Sequence, residues 1–443
     1  MNLAHGLGGG SDLPIPASYA IAGGTAALTI SFIILMLAWR RPRYDELSGG
    51  VRAHWIALVV DSRAFALTLR TAGLVIFGFV AWAAIFGRDL LTNPTFGVIY
   101  VWLWVGLVPL SLLFGPFYKA INPARTFHLI MSKLTGGDPD RGLLPYPPWL
   151  GYWPAAGGLL AFVWLELVYP DGTMLGPVRL WLAMYLAAML MGGAIFGSRW
   201  LERADPFEVY STLVGHLSIW SREASADGRS PGVLTLRSPL RNLASVGGEP
   251  GLVAVVAVLL GSTGFDSFNS STFWVQFSQG TSADITLVNT ALLIFACTLV
   301  GGTFSLATMA TLVVPGESRR QLPRAMAHSI IPIIIGYIVA HYLTFFVEYG
   351  QQTLIQVSDP LSNGSNLLGT ADWSVNYWLS EDPTRLATIK VLSIVIGHVL
   401  GVVMAHDRAL QTIPKRHHVI GQLPLLAAMT LYTFGGLYLL FGL

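Results

Sequence analysis

Charge and cysteine are what this chain has least of. Of its 443 residues, 26 are Lys or Arg and 24 are Asp or Glu, so charged side chains make up only 11%. A soluble globular chain carries about a quarter. With 53% hydrophobic residues and a mean hydropathy of +0.59, this scarcity excludes an ordinary soluble domain and indicates a polytopic membrane protein. The one cysteine, Cys297, sits inside an apolar run, which excludes a disulfide within the chain and any thiolate cluster. No basic stripe or aromatic platform is present, so nucleic acid is not expected as a partner. Residues 1–14 lack a basic n-region and the first apolar run is of spanning length, so no cleavable signal peptide is expected.

Apolar runs of roughly 17 to 25 residues are what the chain does have. Ten spans are expected, near 15–39, 67–87, 95–115, 148–168, 177–197, 249–275, 284–314, 325–349, 387–406 and 418–442, with the sixth interrupted. The expected fold is all-α: a membrane-embedded bundle with two inner interfacial helices and an outer lid loop. It forms a single membrane domain over 1–443, with the first five spans in 1–247 and the last five in 248–443. Placing both termini outside puts 22 of the 26 Lys and Arg on the inner side, all but Arg88, Arg179, Arg385 and Lys390. That is the orientation the positive-inside rule selects.

Residues 114–134 and 196–217 form a weak internal repeat. Each begins Phe-Gly at the end of a span, followed by Asn122-Pro123 or Asp205-Pro206 and an amphipathic stretch. Asn or Asp before Pro marks a helix start. The spacing predicts two helices on the inner membrane surface, carrying His128 and His216 as interfacial residues. The sixth span contains GSTGFDSFNSST at 261–272, which predicts non-helical backbone covered by protein or water. The outer loop 350–386 is long and carries Leu354, Ile355, Leu367, Leu368, Trp373, Tyr377 and Trp378, as a packed lid would. Its Asp359, Asn363 and Asn366 are explained better by turn chemistry than by Ca²⁺.

The chemistry concentrates between Ala325 and Leu410, where two apolar spans carry His341 and His398 well inside. An ionisable side chain at membrane depth marks a site facing the protein interior. His341 lies about 25 Å from Arg324 and His398 about 15 Å from Arg408 by helical rise. Side chains lean toward their own N-terminus, so on antiparallel helices the two histidines point toward each other. Asp266 reaches the level of His341. Together Asp266, His341 and His398 form a set suited to Zn²⁺, Fe²⁺ or Mn²⁺ with open positions for an activated water. Tyr337, one turn below His341, is the supporting catalytic hydroxyl, and His5 in the glycine-rich N-terminal tail is a fourth ligand. Three other readings stay open. Asp266 can pair with Lys390, the histidines can be polar glue between helices, or the set can serve haem or proton transfer. His328 and His406 read as interfacial, and His417 and His418 as part of the inner charged loop. His54 carries no signal, and Glu166 and Glu348 read as solvated helix ends.

Several segments resemble a known family: AHGLGG at 4–9, GSTGFDSF at 261–268, AHYLTF at 340–345, SDPLSNGSNLLGTA at 358–371 and GHVLGVVMAHDRAL at 397–410. The chain is similar over nearly its whole length to bacterial polytopic membrane proteins, common in actinobacteria and labelled fenitrothion hydrolase. Asn366 departs from the family's acidic residue at that point. The resemblance implies phosphotriester hydrolysis in a bacterial cytoplasmic membrane. With the residues above, it sets the expectation of a metal-dependent hydrolase acting on a lipophilic small-molecule ester or phosphoester in the outer half of the bundle. The alternatives are a permease for a metal ion or small solute, built on the interrupted sixth span, and a non-catalytic, haem-binding subunit with partners in a membrane complex.

Overall fold

The computed structural model describes residues 13, 15–44, 50–223, 232–311, 318–414 and 417–441. In chain order its main helices are α1 (Ala17–Ala38), α2 (Arg63–Phe86), α3 (Pro94–Leu103), α4 (Leu107–Phe114), α5 (Pro123–Leu134), α6 (Trp153–Leu167), α7 (Leu175–Phe196), α8 (Pro206–Gly215), α9 (Leu252–Asn269), α10 (Ile285–Met309), α11 (Arg319–Gln356), α12 (Pro383–Thr412) and α13 (Ile420–Phe441). Among the described residues, eight are long and apolar enough to cross a membrane. The α3–α4 pair, bent by 44°, makes a ninth if counted as one span. The span expected at 148–168 is the shorter helix α6. The chain is an all-α polytopic bundle. Its strand content is small: Val51–Arg52, Trp220–Glu223 and Val233–Leu236 pair antiparallel, with the last in the middle.

The helices differ in how much protein surrounds them. In α9 and α11, 72% of the most apolar window is buried, against 11% in α10. The two central helices therefore carry small and polar residues, while α10 turns Leu, Ile and Phe outward, as a lipid-facing helix does. Helices α11 and α12 pack backbone to backbone. A Cβ on Gly336 would collide with the Ser393 carbonyl, one on Gly397 with that of Pro332, and one on Gly401 with that of Ser329. Small residues are how membrane helices approach this closely. The contacts also fix the register, with Gly336 opposite Gly397.

The internal repeat is visible in three dimensions. Gly115 and Gly197 end their helices at φ 77° and 68°, a conformation open to glycine, and each is followed by a short helix and an Asx cap. Asn122 accepts from Arg125 N to cap α5, and Asp205 accepts from Phe207 N and Glu208 N to cap α8. The two caps meet: Asn122 Nδ2 donates to Asp205 Oδ2 at 2.9 Å, and the hydroxyls of Ser111 and Ser211 lie 2.8 Å apart.

Several expectations need correction. Helix α8 does not lie open on a surface, because nine of its ten residues are buried, all but Thr212. The stretch 261–272 is interrupted only near its end. Helix α9 runs through to Asn269 and the break falls at Ser270–Ser271. Its polar residues stay helical with their hydroxyls turned to carbonyls one turn back: Thr263 donates to Leu259 O, and Ser267 Oγ lies 3.2 Å from Thr263 O. Its Gly261 meets the backbone of Cys297 on α10. In the outer loop, Asp359 accepts from Asn363 N, Gly364 N and Ser365 Oγ, which bears out the turn reading. The apolar loop residues are not packed inward. Leu367, Leu368, Trp373, Tyr377 and Trp378 are all exposed, as in an interfacial aromatic belt rather than a closed lid.

Candidate functional site

Asp266 and Ser267 are neighbours on α9; His341 and Tyr342 are neighbours on α11. Successive residues of a helix diverge by about 100°, so each pair opens a gap between its side chains. The His341 ring fills the gap on α9. Its Nε2 lies 2.9 Å from Asp266 Oδ2, and its Nδ1 lies 3.1 Å from Ser267 Oγ. Tyr342 OH donates to the same Asp266 oxygen at 2.8 Å, and Tyr337 OH donates to Ser267 Oγ at 2.9 Å. All five side chains are buried. Asp266 is fourteen residues past Leu252, so it lies about 21 Å along α9, beyond the middle of a hydrocarbon core of about 30 Å.

Counting donors gives the network a direction. With Asp266 ionised, its carboxylate only accepts, and His341 Nε2 and Tyr342 both donate to it. His341 Nδ1 is then an acceptor and takes the Ser267 hydroxyl proton. Ser267 in turn accepts from Tyr337. The result is a continuous chain of donors from Tyr337 through Ser267 and His341 to Asp266. Among the described residues, Ser267 Oγ also lies 3.2 Å from Thr263 O, a competing acceptor for its proton.

His398 does not join this cluster. Gly336 stands opposite Gly397, so His341 is level with Leu392 and lies six residues from the level of His398, about 9 Å along the helices. His398 is 1% exposed. Its Nδ1 is 2.8 Å from Ile394 O, and its Nε2 has no hydrogen-bond partner among the described residues. No three His, Cys, Asp or Glu side chains among the described residues lie together as ligands for a metal ion. Both ring nitrogens of His341 are already engaged. The residues present therefore do not form the expected Asp266–His341–His398 metal set, nor do they offer His341 and His398 as paired axial ligands of one haem. His5 lies outside the described residues.

Other expectations change as well. Tyr337 lies in the cluster, with its hydroxyl bonded to Ser267 rather than to His341. His328 and His406 are not interfacial but 1% exposed. His406 bridges Gln422 Oε1 and Trp39 O, while neither nitrogen of His328 has a hydrogen-bond partner among the described residues. His128 is buried against Pro139 O. Glu348 is 5% exposed and accepts from Ser380 Oγ. Glu166 is the larger departure from solvation: both carboxylate oxygens are buried without a partner among the described residues.

Ser267, Tyr342 and Glu166 are functional candidates that periodicity did not single out. Ser267 and Tyr342 each follow a residue already marked, but helical geometry sends consecutive side chains in different directions. Only the insertion of His341 between 266 and 267 unites them. Comparison with protein-family models, with curated proteins and with solved structures found no match.

Proposed function

We propose that this chain is a proton-coupled membrane permease for a small solute, with the Asp266–His341 pair as its proton-binding centre. The observation that carries the reading is the directed chain Tyr337–Ser267–His341–Asp266, enclosed at membrane depth. Chains of His, acid and hydroxyl groups in a bundle interior are what proton relays are made of. The setting agrees. Helix α9 breaks at Ser270–Ser271, one turn beyond Asp266, and α11 carries a π-helical turn at Phe345–Tyr349 just past His341. Broken helices and π-turns concentrate at transport and ligand sites.

In this reading a proton delivered to Ser267 passes to His341 Nδ1, and the Nε2 proton moves to Asp266. Asp266 is thereby neutralised and the imidazole is left neutral with its proton on Nδ1. Purified protein in vesicles loaded with a pH-sensitive dye, driven by a potassium diffusion potential, should admit protons faster than vesicles carrying Asp266→Asn. Equal rates in the two preparations would refute the proposal.

A second reading is favoured by one observation. Ser267 Oγ, His341 and Asp266 stand in the order of a nucleophile, its base and the carboxylate that orients the base. This suits the ester or phosphotriester hydrolysis implied by the family resemblance, without requiring a metal. Ser267→Ala separates the two: it should abolish turnover of a lipophilic nitrophenyl ester or phosphotriester if Ser267 is the nucleophile. Hydrolysis by wild type that survives Ser267→Ala excludes this arrangement.

A further inference from the structure

Helices α6 and α9 begin side by side. Tyr152 N donates to Pro250 O at 2.7 Å, and a Cβ on Gly251 would collide with the Trp153 backbone. Both then run outward through the core. Glu166 is thirteen residues after Trp153 and Asp266 fourteen after Leu252, so the two carboxyl groups stand level to within about 2 Å. Glu166 is close enough to Asp266 for the charge of one carboxyl group to act on the other.

The two acids are held very differently. Asp266 receives a hydroxyl proton from Tyr342 and an imidazole proton from His341. Glu166 receives nothing from the described residues, and both of its oxygens are out of contact with solvent. A buried anion without donors is far costlier than a neutral carboxyl group. The group therefore has to carry its own proton, while the carboxylate beside it, supplied with donors, is the ionised one. Pairs of acids with unlike surroundings divide their roles in this way.

We propose that Glu166 is the proton store of the Asp266–His341 centre: a neutral carboxylic acid that exchanges its proton with Asp266. In the exchange the Glu166 O–H bond breaks, an O–H bond forms on Asp266, and the negative charge passes from Asp266 to Glu166. The pair keeps one proton and one charge throughout. A turn of the Glu166 side chain, or one water between the two carboxyl groups, completes the path. The role deepens the permease reading and rests on it, but the protonation state can be read without any transport.

Infrared difference spectra of the purified protein at neutral pH should show the C=O stretch of a protonated carboxyl group, moving to lower frequency in D₂O. Glu166→Gln, which is isosteric, should remove that band. Glu166→Asp should keep it, and Asp266→Asn should keep it at a changed frequency because the neighbouring charge is gone. A wild-type spectrum without the band, or an unchanged band in Glu166→Gln, overturns the assignment. In dye-loaded vesicles, Glu166→Gln should slow proton entry roughly ten-fold or more, and an unchanged rate overturns the store. If the band behaves as described but wild-type vesicles admit protons no faster than Asp266→Asn vesicles, the permease reading falls while the protonated Glu166 stands.

Discussion

Tyr342 shows how much one hydroxyl contributes at the centre. It donates to a buried carboxylate, an interaction worth about 1.5–3 kcal/mol where one partner is charged. Side-chain hydrogen bonds inside membranes average nearer 0.6 kcal/mol. Tyr342→Phe should therefore cost about 1 kcal/mol in thermal unfolding in detergent, whereas Tyr438→Phe on the exposed face of α13 should change little. No loss for Tyr342→Phe would mean Asp266 is held by other donors. The sequence reveals such residues unevenly. Asp266 and His341 stand out because charge is rare in apolar runs, and Tyr337 because it lies one turn from His341. Glu166 does not stand out because it lies at the end of its helix, where water is the ordinary partner. Only the packing of α6 against α9 shows that its carboxyl group is enclosed. The separation of His398 from the cluster is hidden for a related reason. Depth counted from the flanking arginines cannot anticipate the glycine contacts that set the register of α11 against α12.

The element that holds the site in place is the α11–α12 pair. Gly397→Ala puts a methyl group against the Pro332 carbonyl, and overpacking of this kind costs about 1–3 kcal/mol. The control is Gly435→Ala, where a Cβ meets nothing. A lower melting temperature for the first only is expected, and equal behaviour would show that the pair is not packed this tightly. The paired caps make a second prediction. Burial, and then the charge of Glu208, raise the Asp205 carboxyl from 3.8 to about 6. The folded protein thus holds this proton more tightly than the unfolded chain between roughly pH 4 and 6. The contribution of Asp205 to stability is therefore greatest at the acid end, falls as pH rises through that window and is flat above it. Melting temperatures of wild type and Asp205→Asn, compared at pH 4 and 6.5, should show the steeper fall in wild type. Parallel curves would contradict the shift. The Phe-Gly and Asx-Pro pattern marked both caps in the sequence. Their contact with each other, and the burial of α8, depend on tertiary packing that the amphipathic pattern does not encode.

At the scale of the whole molecule, the apolar runs mark nearly every long helix, because the hydrocarbon core imposes one length on all of them. What hydropathy cannot distinguish is a bent pair such as α3–α4 or a short helix such as α6 from a full span. The positive-inside count makes an orientation testable by fusion. A reporter active only in the cytoplasm should be silent after Leu443 and active within loop 221–245, and the opposite pair of results would invert the chain. The central claim is that Asp266 and His341 take up a proton inside the membrane, and flux reports this only through turnover. The most direct measurement is the charge displaced when vesicles adsorbed on a supported membrane receive a sudden pH jump. A proton entering a site at this depth moves charge across part of the bilayer even without a transported solute. Wild type should give a transient current that Asp266→Asn abolishes; a transient of the same size in Asp266→Asn, or none in wild type, would contradict the account.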